Sequence, residues 1–424
     1  MKRFTTAWIA ALIVAGCSSV QQGTTPAMPP SQESSHTITQ GQAGLAAEIY
    51  PELAKAAKPN DNLFISPLSL TEGLVLALVG ARGQTESELR ALLGWPAASH
   101  PEMHVREYDQ FLTETGDKKV QLSVANSIWL SDELTFEPGY LEATREALGA
   151  SAEKLDFGGD PAGSAERING WVSEQTRERI PKIVDASGFN DFTAAVLTNA
   201  VWFKADWSVP FEDGHTDEFT RGDGSKLDIY MMERIAPMAY RETRDGQAVS
   251  LPYGDDGRFV MEVYLPKDAA TLRRWERNLD AMSLNTGAQS SGAEFDLRDA
   301  QEQEILLRLP RFEARFDQSV KTALIEAGIP CAFTADCADF AGMAPGPLRI
   351  DDVVHATFLR VDEEGTEAAA ATAVKIIVTG SRMIPAVPQM IVDGPFLMAI
   401  RDRASGALIF FGRIADPTPV EKSQ

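Results

Sequence analysis

Residues 68–79 carry apolar side chains on nearly every face of a helix-length segment, which predicts a helix buried all round. Ser66-Pro67 marks its start, a capping residue followed by proline at the first helical position, and Gly80 and Gly83 mark its end. Thr85-Glu86-Ser87-Glu88 has the form of a capping box, opening an amphipathic helix with Leu89, Leu92 and Leu93. Another helix is expected from Ser164, with Ile168, Trp171 and Val172 at helical spacing. Strands dominate the rest. Residues 120–130 alternate loosely, and 194–203 form a continuous apolar run, the pattern of a strand covered on both faces. Residues 259–265 and 305–309 are further strands, and 396–400, Ser405-Gly406 and 408–411 make a hairpin. Helices and strands without regular βαβ alternation predict an α+β fold, and beyond residue 43 no linker or repeat divides the chain.

Two polar residues interrupt the most apolar strands: Asn199 in 194–203, and His355 in Val353-Val354-His355-Ala356. A buried amide or imidazole is costly unless hydrogen-bonded, so each needs a partner, and the hydroxyls of Ser66 and Ser69 are candidates. A Ser-His pair is also half of a hydrolase triad. Yet the chain has no Gly-x-Ser-x-Gly elbow, no His-Glu-x-x-His and no Gly-x-Gly-x-x-Gly, which favours a structural histidine over an enzyme.

Charge narrows the partners. With 61 acidic against 39 basic residues the net charge is −22, which repels a phosphate backbone, so nucleic acid is not expected. Five histidines and three cysteines give no metal-ligand spacing, so no metal and no cofactor is expected. Lys2 and Arg3 precede an apolar stretch too short to span a bilayer, the form of a secretory signal. Its end, Val14-Ala15-Gly16-Cys17, is similar to the lipobox of bacterial lipoproteins. That resemblance implies residues 1–16 as signal peptide, Cys17 as a lipidated anchor and, with Ser18 next, an outer-membrane lipoprotein facing the periplasm or the outside. Residues 18–42 are rich in Ser, Gln, Thr and Pro and are expected to be a flexible tether, of about 25 residues and on the order of 30 Å, with the folded domain at 43–424. In an exported chain Cys331 and Cys337 could bridge as a local staple or stay as thiols.

The segment after the His355 strand, Glu363-Glu364-Gly365-Thr366-Glu367-Ala368-Ala369-Ala370-Ala371 and on to Thr379, gives mixed propensities: alanines favour helix, and Thr, Val and Ile favour strand. At period two, Thr366, Ala368, Ala370, Thr372, Val374, Ile376 and Val378 share one small or apolar face, while Glu367 and Lys375 lie on the other. This segment resembles the reactive-loop hinge of inhibitory serpins. Further resemblances follow in family order: 62–69, Ile168-Asn169-Gly170-Trp171-Val172, 197–207, Asp339-Phe340-Ala341-Gly342-Met343 and Gly394-Pro395-Phe396-Leu397-Met398. They cover essentially the whole domain.

The resemblance implies three β-sheets, about nine helices and an exposed reactive-centre loop. It also implies suicide inhibition of a serine protease by a monomer: the loop is cut, an acyl-enzyme forms, and the hinge side inserts into the main sheet and distorts the protease. Carried over, Ser66, Ser69, Asn199 and His355 are the shutter beneath the parting strands, Trp207 marks the breach where insertion starts, and Glu363 to Ala371 form the hinge. Roughly 14 inserted residues at about 3.3 Å each span on the order of 45 Å. The family count places the cut bond between Thr379 and Gly380, suiting an elastase-like or subtilisin-like target; Arg382 or Met383 would suit trypsin-like or chymotrypsin-like enzymes, and a cysteine protease is a further alternative. A non-inhibitory binding protein of the same fold remains the competing reading.

Overall fold

A proline in the first turn and the Ser66 hydroxyl, which accepts the Ser69 N–H at 3.2 Å, start the central helix where the sequence places it. The computed structural model describes residues 32–96, 99–281, 284, 297, 300–366 and 387–420. In chain order the first half is α1 (Gln32–Ala56), β1 (Leu63–Ile65), α2 (Pro67–Gly80), α3 (Gly83–Leu93), α4 (Pro101–Thr113), β2 (Val120–Ser131), α5 (Pro138–Leu148), β3 (Ser151–Leu155), α6 (Pro161–Gln175) and β4 (Ala195–Asp206). Then come β5 (Glu212–Thr220), β6 (Lys226–Glu242), β7 (Gly246–Pro252), β8 (Phe259–Pro266), α7 (Ala269–Arg277), β9 (Glu302–Pro310), β10 (Phe312–Ser319) and α8 (Lys321–Glu326). The chain closes with β11 (Asp352–Val361), β12 (Gly365–Thr366), β13 (Gln389–Ile391), β14 (Phe396–Asp402), β15 (Leu408–Ile414) and β16 (Thr418–Pro419).

One sheet has seven strands in the order β16-β10-β11-β12-β4-β2-β3, and the other has nine. The second is continuous because the long β6 pairs with β5 and β9 and then, at Ala239–Glu242, with β7, so two of the three expected sheets share this one strand. Among the described residues there are eight α-helices.

The seven-stranded sheet is covered on both faces, as the apolar run at 194–203 requires. Leu197, Val201, Phe203 and Ala205 of β4 join the main core with α2, while Val196 and Ala200 join a second core with Trp129 and with Ile168, Trp171 and Val172 of α6. Parity therefore decides which residues reach which helix, and odd-numbered positions of β4 face α2.

Three local expectations change. The chain folds eleven residues before the expected 42/43 boundary: α1 begins at Gln32, and Ile38 and Gln42 are buried, Ile38 being the one apolar side chain of residues 32–42 that docks on the core. Thr85 lies inside α3 and its hydroxyl accepts the Asp339 N–H at 3.0 Å, so the capping-box pattern caps nothing; the helix starts at Gly83, whose φ of +56° suits glycine. Likewise Asp160, accepting the Gly163 N–H at 2.9 Å, caps α6, and the Ser164 hydroxyl donates to the Asp156 carbonyl.

Candidate functional site

β4 and β11 run parallel and bonded from Val196–Asp352 to Val201–Thr357, which sets Asn199 beside His355. Both sit on the face above α2. His355 is fully buried, and its Nε2 accepts the Ser66 backbone N–H at 2.9 Å. A nitrogen that accepts from an amide is unprotonated, so the ring is neutral with its hydrogen on Nδ1. Burial pushes its pKa down to about 3. The Ser66 hydroxyl is turned to Ser69 N–H, not to the ring, and the Ser69 hydroxyl has no protein hydrogen-bond partner. A weakly basic ring locked on a main-chain amide cannot activate a serine, so the Ser-His pair is structural.

Asn199 finds its partner elsewhere. Its Nδ2 donates to Asn126 Oδ1 at 2.7 Å, and Asn126 Nδ2 donates to Glu72 Oε2 at 2.6 Å, a relay from β4 through β2 into α2. Gly73 makes room: a Cβ there would lie 2.0 Å from Asn199 Nδ2. Sequence reading missed Asn126, Glu72 and Gly73, although Glu72 is the one charge within the 68–79 run.

Beyond Thr357 and Val201 the two strands part, and β12 fills the gap. Thr366 pairs antiparallel with both Val361 and Ala205, and Gly365 pairs with Asp206. The Thr366 hydroxyl meets the Tyr253 hydroxyl at 2.6 Å, and both residues are buried. Tyr253 stacks on Trp207 at 4.3 Å, and Trp207 Nε1 donates to the Asp362 carbonyl at 3.0 Å. Gly365 is glycine because its backbone is closely approached: a Cβ would lie 2.0 Å from the Ala205 carbonyl oxygen, and its φ is not in the left-handed region. Glu363 forms a buried ion pair with Arg311 at 3.1 Å, and Arg311 also lies over the Tyr230 ring. Burial raises the Asp362 carboxyl to about 6, against the Glu364 and Gly365 N–H groups and nearby Arg360.

The family model described as Serpin (serine protease inhibitor) matches residues 40–417. The chain belongs to the serpin family. An uncharacterized serpin-like protein of Thermococcus kodakarensis is 34% identical over 375 residues, covering 87% of this chain and 83% of the relative. Mouse antithrombin-III is 30% identical, covering 90% and 82%. The crystal structure of Serpin48 from Tenebrio molitor superposes with a TM-score of 0.76 at 27% identity, covering 91% and 98%.

In this serpin the described residues bring Glu363, Gly365, Thr366 and Trp207 into one site, and Ser66, Asn199 and His355 into the layer beneath it. Cys331 and Cys337 are bridged, with Cα atoms 4.9 Å apart, at a short helical turn. Glu367, Ala368 to Ala371, Thr379, Gly380, Arg382 and Met383 lie outside the described residues, as does Cys17. Among the described residues no group of three or more His, Cys, Asp or Glu side chains could hold a metal ion.

Proposed function

We propose that this serpin inhibits serine proteases by trapping them: cleavage after Thr379 is followed by insertion of the hinge side of the loop between β4 and β11. One observation carries the reading. Gly365 and Thr366 already pair as a strand with β4 and β11, which remain bonded to each other below. Continued insertion extends β12 downward, exchanging one parallel ladder for two antiparallel ones. The residues that follow suit it, since Ala368, Ala370 and Thr372 share the parity of Thr366 and are small. Asn199 and His355 lie in its path, where their strands must separate.

The test is incubation with elastase-like, subtilisin-like, trypsin-like and chymotrypsin-like enzymes. A complex that survives a denaturing gel, with a released C-terminal peptide beginning at Gly380, is expected. Cleavage by every class with no complex would leave a substrate, and the reading would fall. A peptide beginning after Arg382 or Met383 would move the target class.

A further inference from the structure

We propose that Asp362 is a positioning residue for insertion, and that its carboxylate fixes the chain reversal from which the inserted strand takes its register; this rests on the inhibitory reading above. β11 ends at Val361 and β12 returns from Gly365, so residues 362–365 reverse the chain between two strands of one sheet. The Asp362 N–H donates to the Gly365 carbonyl at 2.9 Å. Its side-chain Oδ1 accepts the N–H groups of Glu364 at 3.1 Å and Gly365 at 3.2 Å, so one short carboxylate holds both donors on the inner side of the turn.

The outer side is tied to the segment that follows β4. Phe211 N–H donates to the Glu363 carbonyl and Trp207 N–H to the Glu364 carbonyl, both at 2.8 Å, and Trp207 Nε1 takes the Asp362 carbonyl. The turn is thus clamped to the end of β4 on one side and to its own first residue on the other. Asp362 is buried, so no water stands ready to replace its oxygen at Gly365 N–H, itself buried.

Register is what this clamp decides. Side chains alternate at period two, so a slip of one residue exchanges the two faces of the whole inserted segment. With the turn closed at Asp362, Thr366 pairs with Val361 and Ala205, both packed in the main core with α2. Every second residue after Thr366 then meets that core, and those residues are small or apolar, while Glu367 and Lys375 face away. A slip of one would direct Glu367 into the place of Thr366, beside Tyr253.

The experiment separates insertion from inhibition. The loop is cut with a metalloprotease, which forms no acyl-enzyme, and the gain in thermal stability is followed against time. Wild type is expected to gain stability promptly, Asp362→Ala about tenfold more slowly or incompletely, and Asp362→Asn, which keeps the Oδ1 acceptor without the charge, at close to the wild-type rate. If Asp362→Ala does not fold, Asp362→Glu serves, since its carboxylate is displaced by one methylene and should show the same delay. Equal rates in wild type and Asp362→Ala, or an equal delay in Asp362→Asn and Asp362→Ala, would overturn the proposal. A wild type that gains nothing on cleavage would instead overturn the inhibitory reading, and this proposal with it.

Discussion

Gly73 sits on α2 directly beneath Asn199, and the two set opposite expectations for one substitution. In a free helix Gly→Ala stabilises by about 1 kcal/mol. Here the new methyl would lie 2.0 Å from an amide nitrogen that is itself held 2.7 Å from Asn126, whose own amide is held 2.6 Å from Glu72. Overpacking of this kind costs about 1–3 kcal/mol, so Gly73→Ala is expected to lower the guanidinium midpoint despite the better helix former. A raised midpoint would mean that Asn199 swings aside at no cost. The same residues show what sequence can and cannot give. Asn199 and His355 were legible because a polar side chain breaks an apolar run. Their partners were not, because a backbone amide leaves no trace in residue type, and Asn126 lies in a loosely alternating strand like many others. Thr85 and Ser164 failed differently: their spacing suits capping, but backbone groups outside their helices, Asp339 N–H and the Asp156 carbonyl, took the two hydroxyls.

At the scale of elements, the alternation in 366–378 gives an expected pair of faces, of which the described residues include only Thr366, and it could not tell how many residues are already inside the sheet. That number depends on where β4 and β11 part, a long-range property. Likewise the polar start of α1 resembled a tether because composition counts residues and ignores which side of a helix they occupy; Ile38 is the residue that docks it. The inserted pair also sets a test at this scale. Thr366 is fully enclosed between β11 and β4 with its hydroxyl on Tyr253, a buried place in which a guanidinium is costly. Thr366→Arg is expected to expel β12. Trp207 N–H, which now donates to Glu364, should exchange with solvent faster in the uncut protein, and proteases should cleave the variant without being trapped. Slow exchange combined with undiminished trapping would show that insertion does not begin at Thr366.

Across the whole molecule, acidity and burial meet at Asp109 on α4 and Glu72 on α2. Burial pushes the Asp109 carboxyl up to about 6, and burial together with the Asp109 charge raises Glu72, against the hydrogen bond from Asn126. Unfolded aspartate titrates near about 3.9, so between that value and 6 the folded chain holds the proton more tightly. Stability from Asp109 is therefore complete below about pH 4 and is lost as pH rises to about 6, amounting to about 3 kcal/mol for a shift of about two units. His355 works in the opposite sense. Its pKa falls to about 3 on burial, so its contribution is present above about pH 6.5 and lost as pH drops towards 3. The two partly cancel between pH 4 and 6 in the wild type, and only a difference between variants isolates either one. Asp109→Asn has nearly the shape of the protonated acid and leaves the Asn126–Glu72 bond in place. It is expected to be more stable than wild type by about 2–3 kcal/mol at pH 7–8, with the two denaturation midpoints converging below pH 4. Parallel midpoints across that range would mean that the ionised Asp109 carboxylate turns out to solvent, and that Glu72 carries its charge beneath the sheet without a neighbour opposing it.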